Sequence, residues 1–472
     1  MYEHSERRRI GEVQVSKPTR SQAIPSQTSQ ALKNLRAFAI VSVVSFHSVL
    51  AYLASQPAVP APFDSPPYQW LATPILDNHR WLGFDIYAAF QYVALMPVMF
   101  FLSGIFVWPS LVRRGSWNFL YGRLLRIGLP FVFGVYLLMP IAYYPVYRVT
   151  AADPSWLAYW WAWTALPFWP GGPLWFLWEL LLFDILAVAL YVTAPRLMEM
   201  LGRVSASAGL APRRYFVALL AASAVAYMPL AFAFGVSTWA EFGPFDWQPD
   251  RPLLYLVYFF AGAGIGVQGY DRGLLRPGGE LARRWYVWLA GAGGSFLLWM
   301  ISMAPSAYGR SNIIIDLCSY FAVVLAVATV CLGFTAAFLR FGSARSAPID
   351  SLSENAYAIY FVHYVFVVWL QYALLSAAMP AIVKAVLVFA GALALSWGIA
   401  VAAERFGVLA QQFRKPASHA GWALGRFAQN ASEGLTPLGD AVGSGQVAAV
   451  PPRSVMNSRH LIATPEAQDR TS

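Results

Sequence analysis

Ten separate apolar runs, each close to twenty residues long, dominate this chain, and they leave few folds open to it. They fall at approximately 36–54, 84–107, 124–146, 173–194, 215–235, 251–268, 285–303, 313–337, 353–376 and 380–403. About twenty apolar residues is the length at which an α-helix crosses the hydrocarbon core of a bilayer, and no irregular backbone can face lipid there. Of 472 residues, 58% are hydrophobic and only 12% charged, with a mean hydropathy of +0.51. A soluble domain carries about 25% charged residues. The expectation is an all-α fold: a polytopic membrane helix bundle with about ten transmembrane helices.

Charge supplies an independent check on the number of crossings. Cytoplasmic loops are enriched in Lys and Arg. If the N-terminus is cytoplasmic, only Arg80, Arg148, Arg251, Arg310 and Lys384 of the 33 Lys and Arg residues fall on the outer side. One helix too many or too few would invert every later loop and spoil this division, so both termini are expected to be cytoplasmic. The net charge of +10 is then a property of the inner loops and implies no nucleic-acid partner. Residues 1–33 read as a disordered basic cytoplasmic tail, 34–405 as the membrane domain and 406–472 as a disordered cytoplasmic tail rich in Gly, Ser, Pro and Gln. The first thirty residues have no apolar core of the signal-peptide type, so the first helix is expected to be retained as an anchor. Cys318 and Cys331 share one apolar run and form no framework. The two long outer loops, 55–83 and 147–172, are rich in Pro, Trp and Tyr. They read as interfacial aromatic belts, as sugar-stacking platforms, or as both.

Ionisable residues inside the spans are costly in hydrocarbon and are functional candidates for that reason. Arg36 and His47 are 11 residues apart in the first span. On an α-helix that spacing keeps both on one face with a rise of about 16 Å between them. Arg123 and Arg126 are neighbours on one face at the entry of the third span. Glu179 and Asp184 lie in the fourth and point to different faces, against a carboxylate dyad. His363 lies about halfway along the ninth, one turn after Tyr360, at a depth comparable to that of His47. Asp316 in the eighth is a further candidate, and Asp85 is placed near the headgroups. Ser103-Gly104 and Gly262-Ala-Gly264-Ile-Gly266 read as close helix contacts, since the latter lacks the preceding strand a phosphate loop requires. His79 and Asp85 are one residue too far apart for a His-x4-Asp acyltransferase motif. No metal-binding pattern is present.

Several of these residues fall within segments that resemble the acyltransferase-3 family of integral membrane O-acyltransferases. The Arg36…His47 pair resembles its first helix and Met99-Phe-Phe-Leu-Ser-Gly104 the end of its second. Arg123-Leu-Leu-Arg126-Ile-Gly-Leu-Pro130 resembles the entry to its third, and Leu174-Trp-Phe-Leu177 and Tyr357-Ala-Ile-Tyr360-Phe-Val-His363 resemble later segments. They occur in the family's order over roughly residues 30–405, most like the variant without a fused extracellular domain, glucan-modifying members included. Phe-Leu-Ser-Gly-Ile and Trp178-Glu179 depart from the commoner family residues.

The resemblance implies a multi-pass enzyme of the bacterial inner (plasma) membrane that transfers groups other than aminoacyl groups. Acyl-CoA would be the donor, a hydroxyl of an extracytoplasmic or lipid-linked carbohydrate (or a glycolipid) the acceptor, and membrane lipid the surroundings, with no bound cofactor. His47 matches the family's helix-one His, and an imidazole titrating near neutrality suits a general base acting on the acceptor hydroxyl. The sequence has no G-x-S-x-G elbow and no Cys beside a His, which favours direct attack over an acyl-enzyme. Arg36 matches the family's Arg and, with Arg123 and Arg126, suits phosphates and carbonyls of the donor. His363 and Glu179 are expected to assist His47, and Tyr360 and Trp175 to contact substrate. The rival reading is a transporter or acyl-group exporter using the same polar residues as a pathway.

Overall fold

The structure is a computed structural model that describes residues 26–405 except 67, 210, 237, 308 and 311. The two predicted tails lie outside the described residues apart from 26–33. Those last residues belong to the first helix, α1 (Gln27–Val49), which begins earlier than the sequence implied. Ser26 caps it by accepting the Ser29 N–H at 3.2 Å. Its polar first turns are buried because Thr28 donates to the Leu275 carbonyl and Gln30 to Asp350, at 3.2 and 2.9 Å.

The remaining elements follow as α2 (Leu82–Ile105), α3 (Val107–Arg114), α4 (Ser116–Thr150), α5 (Trp156–Thr164), α6 (Trp175–Thr193), α7 (Pro195–Ser207) and α8 (Pro212–Phe234). A hairpin of β1 (Ala240–Phe242) and β2 (Phe245–Trp247) pairs antiparallel with Glu241 opposite Asp246. Then come α9 (Pro252–Gln268), α10 (Glu280–Arg283), α11 (Trp285–Ala307), α12 (Ile313–Phe341), α13 (Ala347–Ala373) and α14 (Ala381–Arg405). Among the described residues nine helices are long and apolar enough to cross a membrane. Ten were expected. The expected sixth, α9, has 17 residues, ends at Gly269 with φ +88°, and turns by 83° into the segment ending at Arg283. The chain is a multi-pass, all-α membrane bundle.

The end of the bundle that carries the start of α1 is called basal here and the opposite end distal. The α12–α13 turn is basal, since Asn34 donates to the carbonyls of Gly342 and Ala344 at 2.6 and 2.9 Å. One apolar core gathers mainly α1, α4, α6, α13 and α14, and a second α2, α8, α9, α11 and α12. Large apolar side chains left outside, such as Leu137, Leu182, Leu297, Ile301 and Leu387, form the lipid-facing surface.

α4 is not a uniform helix. It widens into π turns at Leu124–Gly128 and Gly134–Leu138. Each lies within a turn before a proline, Pro130 and Pro140. A proline offers no N–H and crowds the carbonyl four residues earlier, and a π turn relieves both problems. At the junction of α2 and α9 the glycines read as helix contacts are that. A Cβ on Gly104 would lie 1.9 Å from the Phe259 carbonyl oxygen, and one on Gly262 would lie 2.1 Å from that of Phe101.

Candidate functional site

Arg36 projects from the basal half of α1 and donates to the Ser353 carbonyl of α13 at 3.1 Å. It also faces a cavity of about 210 Å³. Lys33, one turn earlier on α1, and Arg123 at the first π turn of α4 line the same cavity, opposite Met99, Leu102 and Ser103 of α2. Ser103 donates its hydroxyl back to the Met99 carbonyl at 2.8 Å, which suits a packing role rather than a nucleophile's. The cavity thus combines three cations with an apolar wall.

Arg123 is held in place by a partner that its own segment does not reveal. Its Nε lies 3.1 Å from Asp184 Oδ2, and the carboxylate is fully buried in α6. The Arg123 guanidinium also sits 5.0 Å from the centre of the Phe119 ring. Arg126, half-buried on the next turn, is not among the residues lining the cavity.

About 16 Å further along α1 stands His47, half-buried, with His363 of α13 beside it and fully buried. His363 Nε2 is 3.2 Å from His47 Nδ1. His363 Nδ1 is 2.5 Å from the Tyr360 carbonyl, and His47 Nδ1 is 2.9 Å from the Val43 carbonyl. A carbonyl only accepts, so these contacts place a proton on each Nδ1. The single Nδ1 proton of His47 is then shared between the Val43 carbonyl and His363 Nε2, and His47 Nε2 keeps its lone pair. An imidazole with its far nitrogen tied to a second, oriented imidazole is arranged to take up a proton at Nε2 and to share the resulting charge along α13. The expectation of similar depths is met by direct contact.

Around this pair the packing is aromatic. The Tyr364 ring meets His47 edge-on at 5.3 Å, and its hydroxyl is 3.4 Å from that of Tyr143, which donates to the Leu71 carbonyl at 3.1 Å. Tyr360 donates its hydroxyl to the Pro173 carbonyl and is buried. Trp175 is half-buried and stacks on Tyr255 at 5.9 Å. Glu179 is buried one turn beyond Trp175, its Oε1 without a hydrogen-bond partner. No hydrogen bond or ion pair among the described residues joins it to His47, His363 or an arginine, so the structure does not bring it into the histidine pair.

The distal loops hold both packed and exposed rings. Trp70 stacks on Phe63 at 4.7 Å, and Tyr159 and Trp163 are wholly buried, so these rings serve as packing, whereas Trp81, Trp156, Trp160 and Trp161 are exposed. Asp85 accepts the N–H groups of Ala54 and Ser55 at 2.7 and 3.0 Å, and His79 pairs instead with Asp77 at 3.2 Å. A buried ion pair, Lys384 Nζ to Asp77 Oδ2 at 2.6 Å, ties the loop to α14. Cys318 and Cys331 are both free. No cluster of metal-ligating side chains exists among the described residues.

Of the residues bearing on the site, sequence reasoning missed Lys33, which its i,i+3 spacing from Arg36 signals, and the pairing of Asp184 with Arg123. No curated protein and no solved structure matches the chain. A family model described as an acyltransferase domain matches residues 29–401, from the first turn of α1 to the last of α14. That match spans every helix that shapes the cavity and the histidine pair, and the chain belongs to the acyltransferase-3 family of membrane acyltransferases.

Proposed function

We propose that this protein moves an acyl group from acyl-CoA at the cytoplasmic face of the plasma membrane to a hydroxyl of an extracytoplasmic or lipid-linked carbohydrate. The observation that carries the reading is the hydrogen-bonded His47–His363 pair standing about 16 Å along α1 from Arg36 in a cation-lined basal cavity. Lys33, Arg36 and Arg123 suit the donor's phosphates, to which guanidinium groups bind in bidentate fashion. The cavity is too small for a nucleotide and its pantetheine arm together, so the nucleotide would stay at the mouth and the extended arm would cover the ~16 Å to His47. His47 Nε2 then takes the acceptor hydroxyl's proton as that oxygen attacks the thioester carbonyl. The tetrahedral intermediate collapses with expulsion of the CoA thiolate, which leaves with the proton returned by His47. His363 orients the ring and stabilises the imidazolium. Trp175 and Tyr360 contact substrate in this reading and Arg126 adds positive charge near the donor, while Glu179, which no hydrogen bond among the described residues joins to the histidine pair, is left without a step. No bound cofactor is required by this chemistry, and the reaction type is transfer of a group other than aminoacyl.

The test is release of free CoA thiol from acyl-CoA by membranes carrying the protein, with a crude envelope glycan as acceptor. His47→Ala should abolish release, and His363→Gln should lower it by about 10²-fold while leaving the KM for acyl-CoA near its original value. Turnover that survives His47→Ala at equal protein content overturns the assignment. Solute movement without any thioester consumption would favour the transporter reading.

A further inference from the structure

The distal hairpin is joined to the histidine pair by a continuous set of contacts. Asp246 of β2 is 6% exposed, and its Oδ2 accepts the Gly171 N–H at 2.7 Å. Two further hydrogen bonds dock the hairpin, one on the same loop and one on α6: Trp169 N–H to the Gly243 carbonyl at 2.9 Å, and the Trp178 indole N–H to the Asp246 carbonyl at 3.1 Å. A Cβ on Gly171 would stand 2.9 Å from Asp246 Oδ2, so the carboxylate sits directly on the backbone.

The loop then forks toward the two histidines. Gly172 has φ +50°, and a Cβ there would lie 2.8 Å from Met139 Sδ, 3.3 Å from the Tyr143 hydroxyl and 3.4 Å from the Tyr364 ring. The backbone therefore passes close to the tyrosine whose ring meets His47, with little room for a side chain between them. The next residue, Pro173, accepts the Tyr360 hydroxyl, and the Tyr360 carbonyl accepts from His363 Nδ1. A shift of the Gly171–Pro173 backbone would pull on Tyr360 through the Pro173 carbonyl, and a shift toward Tyr364 would close on its ring.

We infer that Asp246 is a positioning residue: through the Gly171–Pro173 loop it sets where Tyr360 holds His363, and so how His363 presents His47. The inference deepens the acyl-transfer reading and rests on it for its effect on turnover, but the coupling itself is a structural property of the chain. A misplacement of about 1 Å at a reacting group costs on the order of 10²-fold in rate, so a loss of tenfold or more is the expected scale.

The experiment uses the full-length protein in membranes and two readouts. One is acyl-CoA turnover. The other is the rate at which diethyl pyrocarbonate modifies His47, measured per molecule by peptide mass across pH 5 to 8, which needs no substrate. Asp246→Ala and Tyr360→Phe should each lower kcat at least tenfold with little change in the KM for acyl-CoA, and should shift the His47 modification profile in the same direction. Asp246→Asn, which keeps an oxygen for Gly171, should restore both readouts. Because the two residues act in series, the double variant should be no worse than the poorer single one. Multiplying losses, or a His47 profile unchanged in Asp246→Ala, would overturn the inference. Wild-type membranes that consume no acyl-CoA would sink the acyl-transfer reading, while the modification profiles would still decide the coupling.

Discussion

The Asp77–Lys384 pair offers a quantitative test of how the distal loop is held. Both side chains are at most 1% exposed, and their charged atoms are 2.6 Å apart. Asp77 also accepts the His79 N–H at 2.7 Å, and Lys384 donates to the Leu375 carbonyl at 3.3 Å. Lys384→Met leaves the Asp77 carboxylate buried without its cation, and Asp77→Leu strands the ammonium. Removing one partner of a buried pair costs about 3–5 kcal/mol, whereas replacing both by apolar groups of similar volume is often neutral or stabilising. At about 2 °C per kcal/mol for a large domain, each single variant should melt roughly 6–10 °C below the wild type. Asp77→Leu/Lys384→Met should return to within a few degrees of it. Thermal unfolding in detergent, followed by the fraction that stays monodisperse on size exclusion, measures all four proteins under one set of conditions. A double variant that melts as low as the sum of the singles would refute the argument. It would mean that the two residues stabilise the loop through separate contacts and not through each other.

Two further outcomes are expected. Gly262→Ala should push α2 and α9 apart, because its Cβ would fall 2.1 Å from a backbone oxygen with no flexible end to give way. The cost should be about 1–3 kcal/mol or more, visible as a lower melting temperature, and an unchanged one would refute the close contact. Stability should also fall as pH rises toward neutrality. Burial pushes the Asp246 carboxyl up to about 7, opposed by the Gly171 N–H and reinforced by Glu241. The folded state therefore holds this proton more tightly than the unfolded chain, so the contribution is complete below about 4 and lost as pH rises through about 7. Melting temperatures of the wild type and Asp246→Asn between pH 4.5 and 8 should diverge, and parallel curves would exclude Asp246 as the cause.

Much of this architecture is legible in the apolar runs, because lipid tolerates few alternatives to a helix of about twenty residues. The shortfall at α9 is legible only in part, since Gly269 announces a break but not the 83° turn after it. His47 and His363 were identifiable singly as ionisable groups at mid-span, and their matching depths follow from the direction of their helices. Their hydrogen bond could not be read, because it depends on the rotation of α13 against α1, which is settled by side-chain packing. The same limit explains why Asp184 was seen but not its hold on Arg123, which comes from another helix. It also explains why the loop aromatics looked like surface platforms. Trp, Tyr and Phe read the same in a sequence whether they face water or one another, and only the packing of Trp70 on Phe63 and of Trp163 among Tyr143, Tyr159 and Trp169 shows which are turned inward.

The glycine contact between α2 and α9 has a consequence for how the basal cavity can change over time. Met99, Leu102 and Ser103 form one wall, and the helix bearing them touches its neighbour backbone to backbone, with no side chain between to trim or enlarge. That contact fixes where the α2 backbone stands, so on this side the cavity can change only through the lining side chains themselves. The wall that carries Arg123 begins a π turn, with its ladder already relaxed ahead of Pro130. A change in the size of molecule the cavity admits that needs backbone movement should therefore fall to α4, with α2 contributing only through side chains such as Met99 and Leu102. The hard wall keeps the gauge, and the soft one does the adapting.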